Sequence, residues 1–258
     1  MKFIYHDLII NYETKGSGDA VILLHGWNAD VSIYESIVNM LKTKYLVYII
    51  DLPGFGESMI PHIPYTLDDY VDFVHMFIDE LNIDNPILIG HSFGGRIAIR
   101  YVNKFKTKKL VLISSAGIKR FNLKTKYKIC KYKLKKKYYI LTRNITKLEK
   151  LQNNSGSSDY QSLNNTMKKT MINIINTNQV TELKNINVPT LLLWGKKDLQ
   201  TPYKDALLMN KKIKYSGLVT FNHSGHFPFI DEEYLFIKVL ASFLEVGGAK
   251  WYTYLYYF

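Results

Sequence analysis

Two patterns of apolar positions alternate along this chain. Residues 20–24, 45–50, 86–89, 110–113, 188–194 and 217–221 are short runs that are apolar at nearly every position, as expected of strands buried on both faces. Between them, apolar residues recur every three or four positions. That spacing predicts helices over 32–41, 67–81, 93–103 and 229–244, and Asp205 falls within a further predicted helix. Thr66 suits the N-cap of the second helix, with Asp68 and Asp69 in a first turn where the helix dipole favours acids. Residues 3–13 read as a strand or hairpin, ended by Lys15-Gly16-Ser17-Gly18. Doubly apolar strands separated by helices imply an α/β fold, a doubly wound and mostly parallel sheet of about eight strands. Residues 118–186 hold no comparable strand run and read as an inserted helical cap. The expected organisation is a core of 1–117 and 187–246, this Lys-rich cap, and a tail of 247–258.

Composition changes the picture little until the charge is located. The chain has 258 residues, 47% hydrophobic and 22% charged, with a formal net charge of +12. It can bury a sizeable core and does not read as disordered. Residues 118–150 hold 13 Lys/Arg and one acid, while the rest of the chain holds 21 bases and 21 acids. A globally basic nucleic-acid binder is therefore not expected. Cys130 is the only cysteine, which excludes an intramolecular disulfide and a multi-Cys zinc site. No apolar run approaches the roughly 18–20 residues of a membrane span. His6 and Asp7 interrupt what would be the apolar core of a signal peptide, so the expectation is a soluble cytoplasmic protein. The tail ends in eight uncharged residues, six of them aromatic, and carries no catalytic expectation.

The candidate chemistry begins at Gly90-His91-Ser92-Phe93-Gly94. This G-x-S-x-G follows a predicted strand and opens a predicted helix, the context of a nucleophile elbow. Glycines two residues on either side relieve crowding at a strained turn. The helix N-terminus there favours developing negative charge. A serine hydroxyl needs a base and a group that orients the base. Asp198 and His226 follow in the order Ser…Asp…His, each a few residues beyond a predicted strand. All three then meet at the carboxyl edge of the sheet.

With these residues in view, the chain resembles the α/β-hydrolases. The resemblance covers about residues 18–117 and 187–245 and is carried by five segments. These are His25-Gly26-Trp27, Asp51-Leu52-Pro53-Gly54-Phe55-Gly56-Glu57-Ser58, residues 90–95, Trp194 through Asp198, and Gly225-His226. It implies an oxyanion hole made by the backbone N–H groups of Trp27 and Phe93. His223 competes with His226, and the family pattern, which places the base after Gly, favours His226. Asp51, Asp205 and Asp231 compete with Asp198. Asp51 has a sufficient role in its turn, and Asp231 one in charging the last helix. His91 and Trp27 are candidate substrate-binding residues, while Arg96 is expected to form a salt bridge.

The resemblance implies a cofactor-independent serine hydrolase of carboxylic esters acting on a small to medium, mostly apolar molecule. Thioester cleavage, C–C bond hydrolysis, acyl transfer or ligand sensing can share the same triad. Serine at the elbow argues against the chemistry of Asp-nucleophile relatives. No metal is expected: His223 and His226 lack a third partner, and Gly54-x-Gly56 lacks the third glycine of a dinucleotide loop. Within the cap, Leu123, Tyr127, Cys130, Leu134, Tyr138, Leu141, Ile145 and Leu148 form one apolar stripe, and lysines crowd the other faces. The stripe predicts one helix or two consecutive helices, with Cys130 buried. The lysines suit a solvated face or weak contact with an anionic membrane.

Overall fold

Runs that are apolar at every position bury alternate side chains on opposite sides of a sheet. The computed structural model describes residues 1–120, 123–153, 156 and 158–248. Its strands are β1 (Lys2–Tyr5), β2 (Leu8–Lys15), β3 (Ala20–Leu24), β4 (Leu46–Ile50), β5 (Ile87–His91), β6 (Lys109–Ile113), β7 (Thr190–Gly195) and β8 (Ser216–Phe221). They form one sheet in the order β1-β2-β4-β3-β5-β6-β7-β8. The β1–β2 and β2–β4 pairs are antiparallel and the remaining pairs are parallel. In β3, Ile22 and Leu24 enter one core while Val21 and Leu23 enter the other. In β6, Leu110 and Leu112 oppose Val111 and Ile113 in the same way. The chain turns to opposite sides at β3, which lies between β4 and β5. Beyond the carboxyl ends at such a point a doubly wound sheet opens its crevice.

The helices are α1 (Glu35–Leu41), α2 (Leu67–Glu80), α3 (Phe93–Lys104), α4 (Leu123–Leu141), α5 (Ile145–Asn153), α6 (Ser158–Ser162), α7 (Asn165–Ile175), α8 (Lys204–Lys212), α9 (Pro228–Asp231) and α10 (Glu233–Phe243). Residues of α1 and α10 fill one core, and those of α2, α3 and α8 fill the other. The Thr66 side chain accepts from Asp69 N while the Asp69 carboxylate accepts from Thr66 N, so α2 starts with a full capping box. The helix expected over 229–244 is broken at Glu232, where φ is −131° and ψ is 49°. Its carboxylate instead accepts from His223 N at 2.9 Å and Ser224 Oγ at 2.6 Å. The break serves the loop before it.

Between β6 and β7 the chain is helical, and here one expectation fails. Cys130 is exposed, not buried. On the same stripe Tyr127, Leu134 and Leu141 are 67%, 65% and 74% exposed. The physical reason is the partner that α4 finds. It packs chiefly against α5 and turns its partly covered positions, Tyr132, Lys136 and Tyr139, to the opposite side. The stripe positions from Tyr127 to Ile145 are left facing water. The helix that reaches the core is α7. Thr170 Oγ1 accepts from Tyr65 N at 2.9 Å, Asn173 Nδ2 donates to Tyr65 O at 3.1 Å, and Met167 is buried against Gly54. The aromatic tail, residues 249–258, lies outside the described residues. Among the described residues no helix is long and apolar enough to cross a membrane.

Candidate active site

Ser92 occupies the turn from β5 into α3 with φ 50° and ψ −107°. A non-glycine residue there carries strain of about 1–3 kcal/mol and must be held by its surroundings. Its N–H donates to Ile113 O at 3.0 Å, and its carbonyl accepts from Ala116 N at 2.9 Å. A side chain on Gly94 would run into the backbone of Leu24, and one on Gly90 would lie 2.5 Å from Gly94 O. Both glycines therefore let β3, β5 and α3 converge beneath the serine.

Asp198 lies in the loop after β7 and His226 in the loop after β8, and both are buried. His226 Nδ1 lies 2.8 Å from Asp198 Oδ2. Asp198 Oδ1 accepts from Gln200 N at 2.8 Å and Thr201 N at 2.9 Å. The Thr201 hydroxyl stands 2.7 Å from Asp198 Oδ2 and 2.9 Å from Ser114 O. Burial pushes the Asp198 carboxyl up, but the bonds from His226 and Thr201 outweigh it and hold it below its ordinary value. The His226 loop is fixed from both sides. Gly225 N donates to Asp231 Oδ2 at 2.7 Å, and His91 Nε2 donates to His226 O at 3.0 Å.

His91 is fully enclosed. Burial first, and the neighbouring His226 second, bring its pKa down to about 3. The ring is therefore neutral, and the bond to a carbonyl puts its proton on Nε2. His25 is similarly lowered by burial. Its Nδ1 donates to Gly26 O at 2.7 Å, and its Nε2 accepts from Leu52 N at 2.9 Å. This bond ties the loop after β3 to the loop after β4.

Ser92, Phe93, Trp27, His91 and His226 line one cavity of about 380 Å³, and Asp198 stands behind His226. The backbone N–H groups of Trp27 and Phe93 donate to no acceptor among the described residues. Trp27 packs edge-on to Phe55 and Phe93 at 4.8 and 5.4 Å between ring centres. The competing acids lie elsewhere. Asp51 accepts from Asn11 Nδ2, Val31 N and Glu57 N and so organises its turn. Asp205 pairs with Arg120, and Asp231 holds Gly225. His223 is exposed. Arg96 does not form the expected salt bridge. It lines the cavity and donates through Nη1 to Thr177. Sequence reasoning also missed Thr201, although the Asp-x-x-Thr spacing is one in which a carboxylate can bind backbone N–H groups ahead of it. It missed Met171, Ile174 and Ile175 of α7, which roof the cavity. Among the described residues no cluster of His, Cys, Asp or Glu could hold a metal ion.

Comparison with known proteins agrees with this architecture. A family model described as the alpha/beta hydrolase fold matches residues 19–139, and one described as TAP-like protein matches 161–250. The pimeloyl-[acyl-carrier protein] methyl ester esterase of Legionella pneumophila is 30% identical over 245 residues, covering 92% of this chain and 99% of that protein. The AB hydrolase superfamily protein YisY of Bacillus subtilis is 30% identical over 255 residues, covering 90% and 93%. An esterase structure from Exiguobacterium antarcticum superposes with a TM-score of 0.73 at 26% identity, covering 92% of this chain and 96% of that one. With such likeness over nearly its whole length, the chain belongs to the alpha/beta-hydrolase superfamily.

Proposed function

We propose that this chain hydrolyses a carboxylic ester through an acyl-enzyme formed on Ser92. The observation that carries the reading is the buried 2.8 Å contact between His226 Nδ1 and Asp198 Oδ2, beside a strained serine that shares a cavity with His226. Asp198 keeps the proton of His226 on Nδ1, leaving Nε2 as the base. Nε2 takes the hydroxyl proton as Ser92 Oγ attacks the carbonyl carbon. The N–H groups of Trp27 and Phe93 receive the oxyanion, each worth about 3–4 kcal/mol in such sites. Collapse breaks the ester C–O bond, and His226 returns the proton to the leaving alcohol. Water, deprotonated by His226, then attacks the acyl carbon and releases the acid, restoring Ser92. An apolar roof over a cavity of about 380 Å³ suits a small to medium acyl group.

Relatives named as esterases, one of them acting on the methyl ester of an acyl group held by a carrier protein, support this bond type. A fluorophosphonate probe followed by peptide mass spectrometry tests it. The expected label is on Ser92, and Ser92→Ala should lose it and lower turnover of short p-nitrophenyl esters by about 10⁴-fold or more. An unlabelled serine and no ester turnover would overturn the proposal.

A further inference from the structure

One buried cation in the cavity has no carboxylate bound to it among the described residues. Arg96 follows Ser92 by one turn of α3, is only 6% exposed, and lines the cavity. Its Nη1 donates to the carbonyl of Thr177 at 2.9 Å and to its hydroxyl at 2.6 Å. Among the described residues no carboxylate pairs with it, and its Nε and Nη2 make no hydrogen bond. The acid that acts on it, Glu182, is committed elsewhere: it takes two bonds from Arg100, at 3.2 and 2.7 Å. Arg100 itself adds like charge. Burial, followed by Arg100, pushes the Arg96 guanidinium down to about 10, so it stays charged at neutral pH in surroundings that disfavour the charge. Proteins ordinarily pair a cation buried this deeply.

We propose that Arg96 recognises a carboxylate carried by the substrate, in its acyl or its alcohol part, on the Nε–Nη2 edge. This rests on the reading of Ser92 as an ester-cleaving nucleophile. Thr177 holds Nη1 and thereby fixes the guanidinium plane, and the remaining fork matches two carboxylate oxygens. The roof of Met171, Ile174 and Ile175 is apolar, so the carboxylate and the ester are separated by a hydrocarbon segment. Arg96 is then a specificity residue and takes no part in bond breaking.

Two matched pairs of esters test this. Monomethyl adipate is compared with the methyl ester of adipamic acid, and 4-acetoxybutyrate with 4-acetoxybutyramide. The wild type should prefer the carboxylate member of at least one pair by about 10- to 100-fold in kcat/KM, the range of a bidentate charged pair. Arg96→Gln should erase that ratio, chiefly through KM, and Arg96→Lys should keep part of it. A purely structural Arg96 would lower both members together and leave the ratio unmoved, which would overturn the proposal. Equal handling of both members by a wild type labelled at Ser92 would also overturn it. Binding separates the two failures. In Ser92→Ala, monomethyl adipate should raise Tm and the amide should not, whether or not the wild type turns either over. A loss of ester turnover alone would count against the nucleophile and leave this binding arm to decide.

Discussion

At the level of single residues, His91 links the strand of the proposed nucleophile to the loop of the proposed base. It does so as a neutral ring, donating Nε2–H to the His226 carbonyl while burial keeps a second proton off Nδ1. Its folded pKa of about 3 lies below the ordinary histidine value. As pH falls from about 6.5 toward 3 the unfolded chain gains a proton that the folded one refuses, so stability present above 6.5 is lost on acidification. The slope approaches about 1.4 kcal/mol per pH unit for one such group, and His25, lowered in the same direction, adds to it. Thermal melts of His91→Gln should fall less steeply than the wild type between pH 6.5 and 4. An unchanged slope would remove His91 from this role. Arg96 shows what residue-level reading of a sequence lacks. Its salt bridge was a fair expectation for a helical arginine, but Glu182 lies 86 positions further along the chain and is taken by Arg100.

The elements were largely legible, for a physical reason. Strands such as β3 and β6 bury every side chain after the first, so their runs carry little competing solvent signal, and Thr66 marks the start of α2 by its own chemistry. The placement of Ser92, Asp198 and His226 in turns beyond β5, β7 and β8 was readable because turns with glycine neighbours constrain sequence locally. The stripe on α4 was equally visible, and its direction was not. Periodicity specifies a face, whereas the object that face meets is a tertiary fact. The exposed stripe predicts an uneven response to mutation. Leu134→Ser and Leu141→Ser should change stability by less than about 0.5 kcal/mol. Leu88→Ala, in a fully buried strand position, should cost about 2–5 kcal/mol. Urea midpoints at matched m-values would measure both, and a large cost at Leu134 would show that the stripe has a partner.

Across the whole molecule, charge and apolar exposure coincide. The excess of 12 positive charges falls within 118–150, and the exposed lysines 131, 133, 135 and 137 share α4 with the outward stripe. Lysine stems beside exposed leucine and tyrosine suit an anionic lipid surface. The expected outcome is co-sedimentation with vesicles of phosphatidylserine and phosphatidylcholine at low salt, lost at about 0.5 M salt because the screening length falls well below 10 Å. Replacing those four lysines by Gln should abolish binding and leave turnover of short esters unchanged. No sedimentation at low salt would refute it.

The bond from His91 to the His226 carbonyl has a consequence for how such a molecule diverges. Serine and histidine are braced within the sheet and its loops, whereas the roof of the cavity comes from α7. Substitutions at Met171, Ile174 or Ile175 can reshape the chamber without disturbing the alignment of the groups beneath. Selectivity can therefore drift from one lineage to another while the reaction is inherited unchanged.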